Sequence, residues 1–327
     1  MTSPLLSLPG AVAADPPDQG VAAHYGDPLR EQRQLAAGHG FVDLSSRGVV
    51  RVSGGDRLTW LHSLTTQHLT QLAVGQAAEA LVLSPHGHIE HALYLVDDGA
   101  ATWMHVEPGT AGDLVAFLDS MRFLLRVEVA DVTADWAIVW EPAVNVVPCR
   151  LTRLDEFGQE VFLPRAELDS YPHQAGPVAG IWAYEALRIA AHRPRLRFET
   201  DHRTIPHEVG WLTRAVHLNK GCYRGQETVA RVHNLGRPPR RLVFLHLDGS
   251  VETLPPHGAP VEHDGRHIGF VTSSARHYEL GPIALALIKR ATPEDALLLA
   301  EGVAASQHGI VPRDGEPKRQ RGRGDVA

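Results

Sequence analysis

The chain has 327 residues, 43% of them apolar, which is long enough for about two or three domains. Its formal net charge is −7, from 31 basic and 38 acidic side chains, which argues against a stable nucleic-acid-binding surface. Its two cysteines, Cys149 and Cys222, exclude a disulfide framework and favour a reducing compartment, so we expect a cytoplasmic protein. No apolar run approaches about 18 residues, so no membrane span is expected.

The first residues, MTSPLLSLPGAVAADPP, faintly resemble a signal peptide because they combine an apolar patch with small residues. They carry no Lys or Arg before Arg30, so the charged start of such a peptide is missing. Pro4 and Pro9 interrupt an apolar helix. We therefore predict a flexible leader over residues 1–23.

Residues 24–236 mix strand and helix patterns and are predicted to form one α+β module. GVVRVSGG reads as a strand and turn, followed by a helix that Asp56 caps. A meander of strands runs from EALVLSP to ATWMHVEP, and helical spacing returns at 112–121 and 181–191.

Residues 237–311 change character after an Arg-Pro-Pro sequence. Short apolar runs such as RRLVFLHLDG and PIALALIKR alternate with Gly, Pro and Asp turns, which predicts a small β-barrel. Residues 312–327 are basic and polar without core-forming side chains, and we predict a disordered tail.

The most distinctive stretch is NKGCYRGQETVARVHNLG, residues 219–236. Gly221 and Gly225 permit unusual backbone angles around Cys222, and a helix is predicted from Gly225 onward. A thiol just before a helix start and close to Lys220 is expected to have a lowered pKa and thus more reactive thiolate. The alternative is an inert, buried cysteine that packs a tight turn.

Metal and phosphate sites have weaker support in the sequence. One thiol cannot hold a structural zinc ion or an iron–sulfur cluster unaided. His86, His88 and His91 form the densest histidine group, but the chain has 20 histidines, so such groups arise by chance and a solvated turn is favoured over a metal site. The glycine-rich phosphate loops and the G-x-S-x-G hydrolase motif are absent. We predict no metal site.

The sequence K-G-C-Y-x-G-Q-E-x-x-A-R resembles the signature of the YgfZ-type folate-binding proteins, which are relatives of the glycine-cleavage T-protein, an aminomethyltransferase. The segments FVDLSSRGVVRVSGGDRLTWLHSLTTQ and HIGFVTSSARHYELGPIALALIKR resemble the opening and the barrel of the same fold. The resemblance spans residues 24–300. It implies an interwoven α+β folate-binding module followed by a β-barrel, and tetrahydrofolate-dependent assembly or repair of iron–sulfur clusters in client enzymes, including radical-SAM tRNA-modifying enzymes.

The sequence departs from the T-protein at two positions. The aspartate pair of the T-protein corresponds to Glu90 and His91, and the pterin-binding glutamate of its L-R-L-E motif corresponds to Ala190. Both changes argue against glycine cleavage. Glu208, in the sequence TIPHEVGW, keeps the family's acidic position and is expected to bind the pterin instead.

The resemblance and the local chemistry together assign the site residues. Cys222 and Lys220 are assigned to chemistry, and folate contacts are assigned to a set of eight residues: Glu90, Glu208, Trp211, Tyr223, Gly225, Gln226, Glu227 and Arg231. The leading hypothesis is a monomeric tetrahydrofolate-binding accessory protein that meets iron–sulfur client or cluster-assembly proteins. The alternatives are a folate-dependent one-carbon (aminomethyl) transferase or demethylase, and a redox-responsive binding module without folate.

Overall fold

The structure of the protein is a computed structural model, which describes residues 1–142, 151–234 and 237–312. The predicted tail from residue 313 and Cys149 lie outside these residues. The chain begins with a 3-10 helix at Pro4–Ser7, strands β1 (Val12–Ala13) and β2 (Ala22–His24), and helix α1 (Pro28–Ala36). No helix of the described residues is long and apolar enough to cross a membrane.

The leader prediction is wrong for residues 1–23, because this segment is packed onto the module. Leu5 is fully buried in a cluster that includes Phe41 and Tyr171. Pro4 begins the 3-10 helix rather than breaking one, and the Ser3 side chain caps it. Asp18 is buried and forms an ion pair with Arg195, 177 residues away in sequence.

The first half of the module is built around a five-stranded antiparallel sheet with strand order β5-β6-β7-β4-β8. Helices α2 and α3 belong to this half, and their apolar side chains share one core with the sheet. The elements in chain order are β3 (Phe41–Asp43), β4 (Gly48–Ser53), α2 (Arg57–Leu64), β5 (Ala77–Leu83), β6 (Ile89–Asp97), β7 (Ala101–Val106), α3 (Ala111–Ser120) and β8 (Glu128–Asp131).

Asp56 occupies the predicted N-cap position of α2, but its side chain makes no capping hydrogen bond. Its carboxylate instead accepts hydrogen bonds from the guanidinium and the backbone N–H of Arg126. Asp56 therefore joins the start of α2 to the chain that enters β8.

The second sheet has strand order β10-β11-β9-β3-β12, in which β12 runs parallel to β3. β3 precedes β4 in the chain, so the two sheets of the module are interwoven as predicted. The elements are β9 (Trp136–Glu141), β10 (Leu151–Leu154), β11 (Gln159–Pro164), a 3-10 helix (Arg165–Glu167), α4 (Pro172–Ala175), β12 (Val178–Ala179), α5 (Ile181–Ala190), a 3-10 helix (Pro206–Glu208), α6 (Leu212–Ala215) and α7 (Gln226–Asn234).

The barrel prediction is confirmed. Six strands close in the order β13-β16-β15-β14-β17-β18, and β13 pairs with β18 to complete the ring. The strands are β13 (Arg240–Leu247), β14 (Pro260–His263), β15 (Arg266–His277), β16 (Gly281–Lys289), β17 (Leu298–Ala300) and β18 (Val303–Gly309). One face of β13 and β16 joins a core with Trp211 and Tyr223, so the barrel packs directly against the module.

Candidate functional site

The loop that carries Cys222 alternates between anchored and exposed residues. Lys220 and Tyr223 are buried, at 7% and 8% exposure, whereas Cys222 between them is exposed. Cys222 is therefore not the buried turn-packing residue of the alternative prediction. The loop presents the cysteine to solvent while its neighbours fix the backbone.

Lys220 anchors the loop to the end of helix α2. Its ammonium group donates hydrogen bonds to the backbone carbonyls of His62, Thr65 and Gln67, the last at 3.2 Å. It also lies 5.0 Å from the centre of the Tyr223 ring. Burial lowers the pKa of Lys220 to about 8. The lysine therefore acts first as a C-terminal cap of α2, because it satisfies carbonyls that a helix end leaves without partners.

A second contact locks the other side of the loop. Gly225 has φ +80°, and a Cβ there would lie 2.6 Å from the carbonyl oxygen of Ser84 and 2.9 Å from Cα of Gly87. Gly87 is equally tight, because its Cβ would lie 2.8 Å from Thr228. The two turns approach so closely that only glycine fits at either position.

Glu90 lies at the surface beside this pair of turns. It falls at a register shift between β5 and β6, and its carboxylate accepts a hydrogen bond from Arg224 at 2.9 Å. The guanidinium of Arg224 also lies 5.6 Å from the ring centre of Phe117 on α3. The structure therefore brings Glu90 to the Cys222 loop as a partner of Arg224.

The other assigned residues divide between the core and the outer face of α7. Trp211 is 1% exposed and packs in the core shared with the barrel. Glu208 is also 1% exposed, but its carboxylate accepts hydrogen bonds from Arg240 at 2.8 and 2.9 Å and from the Ile205 N–H at 3.1 Å. On α7, Glu227 and Arg231 are exposed and Gln226 is half-buried.

The eight assigned contacts therefore do not surround one pocket. Tyr223, Gly225 and Glu90 meet at the Cys222 loop, whereas the Glu208 carboxylate is paired with Arg240. Helix α7 begins at Gln226, as the sequence predicts, so Cys222 lies four positions before the first helical residue.

The interior of the module contains a feature that the sequence interpretation missed, which we call the interior ionic network. Its charged members come from the leader, both sheets, α5 and the segment after it: Asp18, Arg47, Glu79, Glu107, Arg153, Asp155, Glu160, Glu185, Arg188, Arg193, Arg195 and Glu199.

Arg195 joins three carboxylates of this network. Its guanidinium, 2% exposed, donates to Asp18 at 3.0 Å, Glu107 at 2.7 Å and Glu185 at 2.9 Å. Burial on its own raises the pKa of Glu185, but the guanidinium groups of Arg188 and Arg195 outweigh burial and lower this pKa to about 2. Glu185 is therefore ionised at neutral pH.

A second part of the network surrounds aromatic rings. Arg47 is fully buried, contacts His105 at 3.3 Å and Tyr184 at 3.4 Å, and its Nε has no hydrogen-bond partner among the described residues. The His105 ring stacks on Tyr94 with 4.9 Å between centroids and 10° between planes. Burial lowers the pKa of His105, although Glu160, at 3.1 Å, acts in the opposite direction.

The network holds more negative than positive charge. Among the described residues assigned to it, five are arginines, at positions 47, 153, 188, 193 and 195, and seven carry carboxylates: Asp18, Glu79, Glu107, Asp155, Glu160, Glu185 and Glu199. With these groups charged and His105 neutral, two negative charges are in excess. Buried charges are normally paired because their desolvation is costly. The excess therefore favours a ligand that offers N–H donors.

A cleft of about 240 Å³ connects this network to solvent, and we call it the ionic cleft. Its lining combines the polar residues Glu185, Arg195 and Ser273 with the aromatic residues Phe198 and Trp182, and Trp182 is 52% exposed. The Arg195 guanidinium lies 4.4 Å from the ring centre of Phe198. A lining that combines a carboxylate with aromatic side chains can bind a flat ring that carries hydrogen-bond donors.

One signal in the sequence could have revealed the network. In YEALRIAAHRPRL, Glu185 and Arg188 are three residues apart on an otherwise apolar helix, and Arg193 and Arg195 follow it directly. Charges on the buried face of a helix are rare unless they are paired, so this pattern predicts a buried ionic site.

In the histidine group singled out from the sequence, the rings of His86 and His88 are 6.2 Å apart, and His86 is exposed. Within residues 1–142, 151–234 and 237–312, no group of three or more His, Cys, Asp or Glu side chains is placed to hold a metal ion.

Comparison with known proteins places this geometry in a structural context. Residues 240–308 match the glycine cleavage T-protein C-terminal barrel domain. The glycine cleavage aminomethyltransferase T of Bartonella henselae superposes with a TM-score of 0.80 at 18% identity, over 94% of this chain and 96% of that one. The chain therefore has the T-protein fold with its closed C-terminal barrel, as predicted.

The curated relatives differ in what they are named for. A chloroplastic protein of Arabidopsis thaliana, provisionally named a transferase, is 28% identical over 74% of this chain, which spans 64% of its length. An aminomethyltransferase of Moorella thermoacetica is 25% identical over 82% of this chain and 83% of its own. A mitochondrial iron–sulfur cluster assembly factor homologue of Mycosarcoma maydis is 24% identical over 61% and 55%. The relatives thus include both transferases and cluster assembly factors.

Proposed function

We propose that this protein is a tetrahydrofolate-binding accessory protein that supports assembly or repair of iron–sulfur clusters in client enzymes, radical-SAM tRNA-modifying enzymes among them, in the cytoplasm. The exposed Cys222, held between the buried anchors Lys220 and Tyr223, is the observation that carries the proposal. A cysteine presented in this way can approach a cluster or a client thiol that a recessed side chain cannot reach. The cluster assembly factor among the relatives supports the same reading.

The ionic cleft is the better place for the pterin than the contacts first assigned. Glu208 accepts hydrogen bonds from Arg240 and Ile205 and is only 1% exposed, so a ligand has little access to its carboxylate. Glu185 is also paired, with Arg188 and Arg195, but it lines the ionic cleft, keeps 16% side-chain exposure and belongs to a network with excess negative charge. A pterin ring presents adjacent N–H donors, and a carboxylate accepts such donors in pairs. Trp182 and Phe198 would cover the ring faces.

The chemistry at Cys222 can take three forms: a bond to iron, a mixed disulfide formed by attack on a client disulfide with the second client sulfur leaving as a thiolate, or a one-carbon adduct formed by attack on a folate-bound carbon with the folate nitrogen as the leaving group. All three begin with the thiolate as the nucleophile or ligand. Replacement of Cys222 by serine keeps the size and polarity but removes the soft sulfur. We expect Cys222→Ser to fold and to bind folate normally and to lose support of iron–sulfur clients.

The test is complementation in cells that lack the native gene, with client-enzyme activity as the readout. Wild-type protein and Cys149→Ser, which removes the other thiol, should restore activity, and Cys222→Ser should not. Protein levels of the three variants must match. Full rescue by Cys222→Ser would refute the assignment of chemistry to this thiol.

Folate binding is tested separately by calorimetry with tetrahydrofolate. We expect a dissociation constant of about 1 μM or lower, equivalent to about −8 kcal/mol. Trp182→Ala should weaken binding because it removes an aromatic side chain from the lining of the ionic cleft. Trp103→Ala, which removes an aromatic side chain outside that cleft, is the control and should not weaken it. Absence of heat and of competition at millimolar folate, together with loss of client activity in Cys222→Ser, would favour the redox-responsive module without folate.

The transferase alternative is favoured by the T-protein fold and by the aminomethyltransferases among the relatives. It is opposed by the residues at the two departing positions. Glu90 is exposed and paired with Arg224, and Ala190 has no carboxylate to offer. We expect no folate-dependent release of ammonia from an aminomethyl-lipoyl carrier protein, and detectable release would replace the accessory role with the transferase.

A further inference from the structure

A second cleft lies where the module meets the barrel, and we call it the histidine cleft; none of residues 219–225 of the Cys222 loop is in its lining. It has a volume of about 430 Å³ and lies between the chain after α5, the segment around α6 and the end of β18. The residues that matter here are His192, His207, Arg214 and His308. Its volume is within the range of small-molecule sites, about 300–1,000 Å³.

His207 is the unusual residue of this cleft. It is only 7% exposed, and neither of its ring nitrogens has a hydrogen-bond partner among the described residues. Burial lowers its pKa to about 4, with a smaller contribution from His233. A buried polar group without a partner destabilises a fold by about 1–3 kcal/mol. Such a group is expected where a ligand completes its hydrogen bonds.

The lining of the histidine cleft has one sign of charge. Arg214 and three imidazoles line it, and no carboxylate does, although the whole chain has a net charge of −7. Arg214 forms an ion pair at 2.5 Å with Glu156, whose side chain is 70% exposed and outside the lining. An anion in the cleft can therefore share or take over this guanidinium at little cost, because an exposed ion pair is weak.

Protonation of one imidazole in this cleft disfavours protonation of its neighbours. The His192 and His308 rings lie 5.9 Å apart, and His192 has a backbone φ of +57°, which residues other than glycine rarely adopt. Burial lowers the pKa of His192, with added effects from His308 and from His246 on β13. The carboxylate of Glu208, next to His207 in sequence, forms an ion pair with Arg240. Within the described residues the group is not arranged to hold a metal ion, so an anion is the ligand that its chemistry fits.

We propose that the histidine cleft is a second binding site, for a small anion with carboxylate or phosphate oxygens that accepts hydrogen bonds from His207 and Arg214. A bound anion stabilises the protonated imidazole, so binding takes up a proton. Affinity should therefore rise as the pH falls, by up to about tenfold per pH unit for one linked proton. The inference does not depend on folate or on Cys222.

The experiment uses the full chain labelled with ¹⁵N-histidine and follows the ring nitrogen resonances by NMR. Inorganic phosphate and glutarate serve as separate probes, each titrated at about pH 6 and about pH 8, on either side of the ordinary histidine pKa. We expect the His207 and His192 resonances to shift in a saturable way, with tighter binding at the lower pH. A response to phosphate alone assigns a phosphoryl ligand, and a response to glutarate alone assigns a carboxylate ligand.

His207→Gln and Arg214→Gln should each weaken binding about tenfold, the equivalent of about 1.4 kcal/mol. His267→Gln, an exposed histidine on β15 outside the cleft, is the matched control and should not change it. If His207→Gln does not fold, the Arg214→Gln variant still tests the site, because Arg214 is partly exposed. Absence of saturable shifts with both probes, or equal effects of the control and the cleft variants, would overturn the proposal.

Discussion

Arg195→Met tests whether the interior ionic network stabilises the fold. The substitution keeps an aliphatic side chain but removes the guanidinium that Asp18, Glu107 and Glu185 share at 3.0, 2.7 and 2.9 Å. Removing one partner of a buried ion pair costs about 3–5 kcal/mol, because the remaining charge is uncompensated. With an unfolding entropy of about 2.1 cal/mol/K per residue, a loss of about 4 kcal/mol lowers the Tm of this chain by about 6 °C.

The assay is urea denaturation and thermal unfolding at several pH values. If uncompensated carboxylates cause the loss, the variant should recover part of its stability near pH 5, where one of them can be protonated, whereas a packing defect would be independent of pH. Arg122→Met is the control, because Arg122 is 46% exposed and lies 3.7 Å from Asp119, so its loss should cost less than about 0.5 kcal/mol. A cost below about 1 kcal/mol for Arg195→Met, or a loss that does not change with pH, would refute the reasoning.

Three further predictions concern the loop and the titration of buried groups. Gly225→Ala should cost about 1–3 kcal/mol because of its φ of +80° and the 2.6 Å approach to Ser84, while Gly221→Ala, which meets nothing within 4 Å, should cost less than about 1 kcal/mol; equal denaturation midpoints would contradict this. The pKa of Glu185 is lowered from 4.5 to about 2 on folding, which contributes about 3 kcal/mol of stability; this contribution is fully present above pH 4.5 and is lost as the pH falls towards 2. Glu185→Gln should therefore make stability less dependent on pH in this acidic range. Lys220 has a pKa of about 8 in the folded state and 10.5 in the unfolded state, so the folded state binds fewer protons between these pH values. The stability of the wild type relative to Lys220→Met should therefore rise by up to about 3 kcal/mol from pH 8 to 10.5, and a constant difference in chemical denaturation would disprove this prediction.

Local sequence signals predicted the parts of the fold that depend on neighbouring residues. Gly225 and the helix from Gln226 follow from a turn glycine and a helical pattern, and the barrel strands follow from apolar runs between turns. The T-protein fold followed from long motifs rather than from physics alone. The exposure of Cys222 could not be predicted, because it depends on how Lys220 is bound by the end of α2, 155 residues earlier at Thr65.

The interior ionic network and the packed leader were missed for a common physical reason. Asp18 and Arg195 are separated by 177 residues, and nothing near either one indicates its partner. The leader has few charges and several prolines, a composition shared by disordered and by packed segments. Leu5 is buried only because strands far along the chain provide its pocket. Periodicity can place Glu185 and Arg188 on the buried face of a helix, but it does not identify partners that lie far along the chain.

The composition of the interior ionic network has a consequence for how the molecule unfolds. Glu199 accepts hydrogen bonds from Thr272 and Ser273 of the barrel at 2.9 and 2.5 Å, and Arg188 of α5 contacts both Glu199 and Ser273. Detaching the barrel would leave Arg188 and Glu199 paired within the module but would break their hydrogen bonds to Thr272 and Ser273, and the loss of these contacts to buried charged groups opposes any partly unfolded state. Module and barrel should therefore lose their structure in one cooperative transition, with hydrogen exchange in the slowest amides of both reporting the same free energy of opening.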